Sequence, residues 1–256
     1  MNSPKLTPVQ APHAPLTDYY LTEQDRQAYL REIFDNTAAD YDRIESMLAW
    51  GTGSRYRREA LLRAGLKPGM KVLDVGVGTG LVAAQACMLT EDPALVTGID
   101  PSLGMMAASK LPKAMVLMEG RAEALPFPDN HFDFLSMGYA LRHISDLGVA
   151  FAEFERVLKP GGRLCIHEIT QAQNHLGKWL LKNYMRGVIP LLTRFISKQK
   201  STATIWRYYW DSIEACVPPT QVLAALRATG LAEVQRHLAI GVFSEYQAVK
   251  ILKPAT

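Results

Sequence analysis

Cysteine is scarce in this sequence, and the spacing of the few cysteines excludes two kinds of stabilisation. Only 3 of the 256 residues are cysteines, and they stand far apart with no C-x-x-C spacing, at Cys87, Cys165 and Cys216. Disulfide frameworks and structural zinc sites need paired or closely spaced thiols. We therefore expect a protein of a reducing compartment that has neither disulfides nor a zinc site.

Charge of one sign and long hydrophobic runs are also missing. The formal net charge of +3 is spread along the chain, so charge gives no support for nucleic acid as a partner. No stretch reaches the roughly 20 apolar residues that span a bilayer, and the proline-rich start lacks the apolar segment of an export signal. We expect a cytoplasmic protein with residues 1–20 as a mobile N-terminal segment and residues 21–256 as a single domain.

The order of helical and strand patterns predicts an α/β fold. Two helical patterns, at 25–41 and 54–64, precede five short apolar runs typical of strands, at 72–75, 95–99, 115–118, 132–137 and 163–169. Helical patterns separate most of these runs, which predicts a parallel sheet with helices on both faces. Residues 171–210 interrupt the alternation with a basic, aromatic helical insertion. A last helix follows at 220–228, with Thr220 as its N-cap, before a hairpin of strands at 234–239 and 243–249.

A glycine-rich turn follows the first strand and predicts a cofactor site. Gly76, Gly78 and Gly80 stand in a G-x-G-x-G pattern, and Asp100 ends the next strand. Glycines allow close backbone approach to a ligand, and an acid at that strand end can hold both hydroxyls of a ribose. Dinucleotide sites have a third glycine where this chain has Leu81. The spacing favours an adenosyl ligand such as S-adenosylmethionine; a dehydrogenase remains a distant alternative, which NADH binding would support.

Several motifs together resemble one enzyme family. They are D-V-G-V-G-T-G at 74–80, G-I-D-P-S at 98–102, A-E-A-L-P-F at 122–127, L-R-H at 141–143 and R-V-L-K-P-G-G-R-L at 156–164. From about residue 34 onwards the chain resembles the class I S-adenosylmethionine-dependent methyltransferases, most closely the ubiquinone/menaquinone biosynthesis C-methyltransferase family. The resemblance implies a Rossmann-like, seven-stranded, mostly parallel sheet and methyl transfer to a ring carbon of a lipophilic quinol.

The resemblance also implies which residues bind S-adenosylmethionine. Thr79 and the glycines would face the methionine portion, Asp100 the ribose, and Gly138 would begin the loop under the sulfonium. The full implied set is Asp74, Gly76, Gly78, Thr79, Gly80, Asp100, Pro101, Met105, Arg121, Ala122, Glu123 and Gly138.

Three positions depart from the family pattern. Arg121 stands where the family has Asp or Asn, and a guanidinium has only donors, so it cannot accept a hydrogen bond from the adenine amino group. Gly138 replaces a serine, and His143 replaces an asparagine on the substrate side. Cofactor binding is expected to survive the first two changes because the backbone and Asp100 remain. The third change bears on the acceptor and favours one other than a quinol.

The candidate catalytic residues are Arg142 and His143, after the fourth strand, and Tyr41, in the segment F-D-N-T-A-A-D-Y-D that resembles the family's N-terminal helical lid. The family's matching arginine implies that Arg142 stabilises a developing oxyanion or orients a water. His143 can accept a phenolic proton near neutral pH, and no metal is needed. The alternatives are a salt bridge for Arg142 and a structural role for His143.

His167 and Glu168, at the end of the fifth strand, rank second as candidates, and Asp146 and Asp211 rank below them. His167 and Glu168 stand at the edge where doubly wound sheets bind ligands.

The sequence leaves alternatives open for the role of the insertion and for the identity of the methyl acceptor. Residues 171–210 can form a lid over the site, a homodimer interface, or a peripheral contact with the inner face of the membrane. The acceptor can instead be a phospholipid amine, a terpenoid or a secondary metabolite, since similar folds serve many acceptors. A non-catalytic scaffold subunit that binds S-adenosylmethionine is the alternative from another class.

Overall fold

The computed structural model of the protein describes residues 10–48, 52–191 and 200–251. Seven strands form one sheet: β1 (Val72–Val75), β2 (Val96–Asp100), β3 (Val116–Glu119), β4 (Phe132–Gly138), β5 (Leu158–Ile169), β6 (Leu231–Ala239) and β7 (Phe243–Lys250). The helices are α1 (Glu23–Leu48), α2 (Gly53–Arg63), α3 (Leu81–Thr90), α4 (Leu103–Ala107), α5 (Leu147–Val157), α6 (His175–Asn183), α7 (Lys200–Ala215) and α8 (Pro219–Ala228). One π-helical turn, Tyr184–Val188, continues α6.

The strand order is β3-β2-β1-β4-β5-β7-β6, and only β7 runs antiparallel to its neighbours. β1 lies between β2 and β4, both parallel to it. The order therefore reverses at β1, and ligands of open α/β sheets bind at the carboxyl ends of the strands beside such a reversal. The predicted seven-stranded, mostly parallel sheet and its closing hairpin are confirmed.

Both faces of the sheet are covered, which explains why its central strands are apolar throughout. Along β4, Leu135 joins a core cluster with α5 and α8, whereas Phe134 joins a second cluster with α2 and α3. Successive side chains of a strand point to opposite faces, so two layers of helices bury both sets.

A third apolar cluster lies above the carboxyl edge of the sheet and contains the predicted insertion. Tyr208, Tyr209 and Trp210 of α7 pack in it with Ile33 of α1 and Met185 of the π-helical turn. Within residues 171–210, residues 175–191 and 200–210 are helical, as predicted, and residues 171–174 are not; residues 192–199 lie outside the described ranges. The insertion therefore packs with α1 over the edge where a ligand would bind.

The start of the chain differs from the prediction. Residues 1–9 lie outside the described ranges, but residues 10–20 pack on the domain, with His13 and Tyr20 buried. The Leu147 N–H donates to the Gln10 carbonyl over 2.9 Å, and the Val217 N–H donates to the Pro12 carbonyl over 2.7 Å. The predicted boundary at residue 20 is therefore too late, because these pairings hold a polar, proline-rich segment that has no helical or strand pattern of its own.

The start of α8 also differs from the prediction. The helix begins at Pro219, and Pro218 occupies the cap position without a side-chain hydrogen bond. Thr220 is therefore inside the helix, because proline is favoured at the first helical position, where no N–H is needed.

Candidate functional site

A cavity of about 340 Å³ lies at the carboxyl edge of β1, β2 and β4, between the sheet and the roof formed by α1, α7 and the π-helical turn. Every predicted site residue except Gly80 lines it. Gly80 instead precedes α3 with φ +89°, and a side chain there would meet Leu111. Gly80 therefore lies outside the cavity lining, and its positive φ lets the chain turn into α3.

Two glycines let the floor of this cavity pack closely. Gly76 has φ +69°, and a Cβ on it would lie 2.7 Å from the Cβ of Ala140. A Cβ on Gly138 would lie 2.5 Å from Cγ2 of Val82. Gly76 therefore lets the turn after β1 approach the loop after β4, and Gly138 lets the end of β4 approach α3.

Asp100 lies at the end of β2 and is almost completely buried. Its Oδ2 accepts the Gly78 N–H and its Oδ1 accepts the Ser102 N–H, both over 2.8 Å. Burial raises the pKa of Asp100 to about 6, although the two backbone hydrogen bonds lower it. Each oxygen keeps a second lone pair, so the carboxylate can still accept from a diol.

Asp74, in β1 just before the glycine-rich turn, is also buried and lines the cavity. The Ser136 hydroxyl donates to its Oδ1 over 2.6 Å. Burial raises the pKa of Asp74 to about 7.

Apolar side chains and an engaged arginine surround the end of the cavity near Asp100. Met105 and Ala122 are buried, as expected for neighbours of a flat ring. Arg121 donates from Nη2 to the Ser145 hydroxyl over 2.9 Å and from Nη1 to the Gln27 amide oxygen over 2.5 Å. Arg121 therefore links the loop after β3 to α1 and to the loop after β4.

Arg142 is buried and lines the cavity in an ion pair with Glu168. Its Nε donates to the Ser212 hydroxyl over 3.0 Å, and its guanidinium carbon lies 4.9 Å from the centre of the Tyr209 ring. The predicted salt bridge is therefore present, and it holds the guanidinium at the cavity wall. Glu168 Oε2 has no hydrogen-bond partner.

His143 lies next to this ion pair, between aromatic rings. It stacks against Tyr208 and Tyr209, and Phe34 meets its edge. Its Nδ1 lies 3.3 Å from the Tyr208 hydroxyl, whereas its Nε2 is buried without a partner. Burial, with the nearby charge of Arg142, holds the pKa of His143 well below its ordinary value, so the ring is neutral at pH 7.

Tyr41 closes the aromatic wall of the cavity. Its ring stacks on Trp206, and its hydroxyl accepts from Tyr209 over 3.0 Å. α1 and α7 thus meet over the site through these residues, as expected for an N-terminal lid.

Four lower-ranked candidates lie outside the cavity lining. His167 is buried beside Cys165, and burial lowers its pKa to about 4. Asp146 caps α5, and Asp211 accepts from the Tyr19 hydroxyl over 2.6 Å. Glu168 contributes through Arg142. Within the described ranges, no three His, Cys, Asp or Glu side chains are grouped to hold a metal ion.

Sequence reasoning missed several polar residues of the cavity, and three of them meet in one corner. Arg57 of α2 and Glu45 of α1 form an ion pair there, and Tyr139 lies beside them with φ +60°, the left-handed region. A conformation that is uncommon outside glycine is often found at functional sites. No local sequence pattern predicts these residues as a group, because they are far apart in the chain and meet only in the folded structure.

We expect the serine of the family pattern to be poorly tolerated at position 138. Gly138→Ser would place a Cβ within 2.5 Å of Val82, and such overpacking typically costs about 1 to 3 kcal/mol. Urea unfolding should show the loss, and Gly138→Ser/Val82→Ala should recover most of it. Equal instability of the single and double variants would mean that Val82 is not the obstacle.

The comparisons with known proteins agree with this geometry. The model of the ubiE/COQ5 methyltransferase family matches residues 22–250. A demethylmenaquinone methyltransferase of Symbiobacterium thermophilum is 31% identical over 225 residues, 84% of this chain and 89% of that protein. A ubiquinone/menaquinone biosynthesis C-methyltransferase of Shewanella halifaxensis is 33% identical over 203 residues, covering 76% of this chain and 80% of that protein.

A solved structure shows the same fold at lower identity. A putative S-adenosyl-L-methionine-dependent methyltransferase of Methanococcus maripaludis superposes with a TM-score of 0.60 at 19% identity, covering 87% of this chain and 96% of that one. The fold, the cavity and the family match agree with the predicted resemblance: this chain belongs to the ubiE/COQ5 methyltransferase family.

Proposed function

We propose that this protein transfers a methyl group from S-adenosylmethionine to a ring carbon of a lipophilic quinol. One observation carries the proposal: Arg142, which is held by the buried Glu168, and the neutral His143 line the same cavity as the glycine-rich turn and Asp100. The names of the relatives supply the acceptor class.

The residues present fit the cofactor. Asp100 can accept from a ribose diol, and Met105 and Ala122 offer apolar contacts to a base. When bound, S-adenosylmethionine supplies an electrophilic methyl group on a sulfonium.

The side chains of the protein must activate the acceptor. A quinol becomes a better carbon nucleophile when it loses a phenolic proton, because negative charge then reaches the ring. The Arg142 guanidinium can stabilise that phenolate in a cavity of low dielectric. The Nε2 of His143 has no hydrogen-bond partner and is the proposed proton acceptor. Its pKa is held well below the ordinary value, so it is a weak base, and the stabilisation of the phenolate by Arg142 must drive the transfer.

The walls of the cavity suit a flat ring with an apolar tail. Leu181, Tyr184, Met185, Ile189 and Trp206 line its upper part. Aromatic and aliphatic walls with few polar groups are typical of sites for lipophilic ligands.

The deciding experiment is a transfer assay with methyl-labelled S-adenosylmethionine, a panel of demethylated quinols and a lipid extract. Label on a quinol ring carbon supports the proposal. Label only on a phospholipid amine, a terpenoid or another metabolite would show that the acceptor is that compound and not a quinol. Tight cofactor binding without transfer would favour the scaffold alternative.

We also propose that the outer face of α6 and the π-helical turn docks on a lipid surface at the inner face of the membrane. Apolar side chains there are exposed, with Leu176 at 68% and Trp179 at 60%, and Leu180, Val188 and Leu191 accompany them. Residues of the same segment line the cavity on their inner side, so a lipid-soluble acceptor would have a short path to the site. No helix within the described ranges is both long and apolar enough to cross a bilayer, so a peripheral contact is the form of docking proposed.

We expect Trp179→Ser/Leu180→Ser to lower the affinity for phospholipid vesicles, measured by co-sedimentation, by on the order of tenfold or more, because two apolar side chains are removed. Leu62→Ser is the matched control, since Leu62 is similarly exposed on α2. Unchanged vesicle binding, or a concentration-dependent dimer that the double variant abolishes, would assign this face to another role.

A further inference from the structure

Arg57 is a cavity residue with a role that neither the proposed chemistry nor the family motifs assign. Its side chain is 4% exposed, and it lines the cavity from α2. Its Nη2 donates to Glu45 Oε1, but its Nε is buried with no hydrogen-bond partner. An unpaired buried donor of a charged group is costly, so its retention at a cavity wall indicates a ligand.

The carboxylate of Glu45 balances the positive charge of Arg57. Glu45 comes from α1, lines the same cavity and remains partly exposed. Tyr139 completes the group, with its ring centre 5.8 Å from the guanidinium carbon of Arg57. The cavity therefore has a neutral but strongly polar corner, with a cation and an anion side by side.

The position of this corner along the cavity follows from α1. Asp42 accepts the Thr79 hydroxyl, which fixes α1 against the glycine-rich turn. Glu45 follows Asp42 by three residues, about one helical turn. The corner thus lies by the turn after β1 and by Tyr139, the residue after β4, whereas Asp100 ends β2 on the other side of the turn.

We infer that Arg57 and Glu45 bind the zwitterionic amino-acid end of the cofactor. Arg57 would pair with the α-carboxylate of the cofactor, and Glu45 with its α-ammonium group. This inference rests on the proposed use of S-adenosylmethionine. The guanidinium has five N–H donors and the carboxylate about four acceptor sites, so each can take a charged partner while keeping the other. A quinol offers no such pair of opposite charges.

Calorimetry with two cofactor fragments tests the inference without the acceptor. S-Adenosylhomocysteine carries the amino-acid end, whereas 5′-methylthioadenosine lacks it. We expect the protein to prefer S-adenosylhomocysteine by on the order of 100-fold. In Arg57→Gln/Glu45→Gln the preference should fall below about threefold, while affinity for 5′-methylthioadenosine stays. The double variant leaves no uncompensated charge, which keeps it folded if Arg57→Gln alone does not fold.

Arg63→Gln/Glu245→Gln is the matched control, because it removes an ion pair of the same helix outside the cavity lining; its preference should equal that of the original protein. An unchanged preference in the folded Arg57→Gln/Glu45→Gln variant would overturn the inference. An equal loss of affinity for both compounds would overturn it too, since the pair would then be structural. If the original protein binds neither compound, the proposed cofactor fails and the inference fails with it.

Discussion

Arg142→Met is expected to destabilise the protein by about 3 to 5 kcal/mol, because it leaves Glu168 buried without its cation. Glu168 would keep backbone donors, among them the Ile169 N–H, which donates to its Oε1 over 2.8 Å. Burial raises the pKa of Glu168 above its ordinary value even beside Arg142. Without Arg142 the pKa should rise further, so the variant binds a proton in its folded state that the unfolded chain releases. Its stability should therefore fall as the pH rises above about 4.5, the ordinary glutamate value. Urea unfolding at several pH values measures this.

A double variant separates the structural from the chemical role of Arg142. Arg142→Met/Glu168→Gln removes both charges, and the amide oxygen of Gln can still accept from Ile169. We expect it to recover most of the stability but to remain slower than the original protein by at least about 100-fold in kcat, since the phenolate loses its stabilising cation. Cofactor affinity should hardly change. Near-normal kcat in the stable double variant would reduce Arg142 to a structural residue.

The sheet and the glycine-rich side of the cavity could be predicted because their signals are local. Buried strands of a parallel sheet are apolar runs, and Gly76 and Gly78 follow such a run directly. Asp100 comes at the end of the next strand along the chain. Since β1 and β2 pair in parallel, with Val75 beside Ile99, an acid one residue further on necessarily lies at the edge reached by the turn.

The polar corner and the partner of Arg142 could not be predicted in the same way. Arg57 pairs with Glu45 across two helices, and Arg142, in the loop after β4, pairs with Glu168 of β5, 26 residues away. Each pairing depends on how α1 and the insertion pack over the sheet edge, and side-chain periodicity fixes only which face of a helix is apolar. His143 shows the same limit: its position was predicted, but its neutral state follows from the aromatic rings of α7.

Asp100→Asn is expected to weaken the binding of S-adenosylhomocysteine by about 2 to 4 kcal/mol, or on the order of 30- to 1000-fold in Kd. The variant keeps the shape of the side chain but loses the charge and one acceptor, so a ribose diol cannot be held by both oxygens. It also turns an amide N–H₂ towards the N–H of Gly78 or of Ser102. Asp146→Asn is the matched control, because Asp146 likewise accepts two backbone N–H groups, those of Gly148 and Val149, outside the cavity lining. Its Kd should stay within about twofold.

The same carboxylate should make cofactor binding depend on pH. With the pKa of Asp100 at about 6, the free protein is increasingly protonated below pH 6, and the protonated acid accepts from a diol poorly. Affinity should therefore fall with pH below 6, by up to about tenfold for each pH unit, and should be constant well above it. Calorimetry between pH 5 and 8 measures this, and Asp100→Asn should flatten the profile. Asp74 also lines the cavity with a pKa of about 7, so a pH dependence that survives in Asp100→Asn would assign the titration to Asp74 instead.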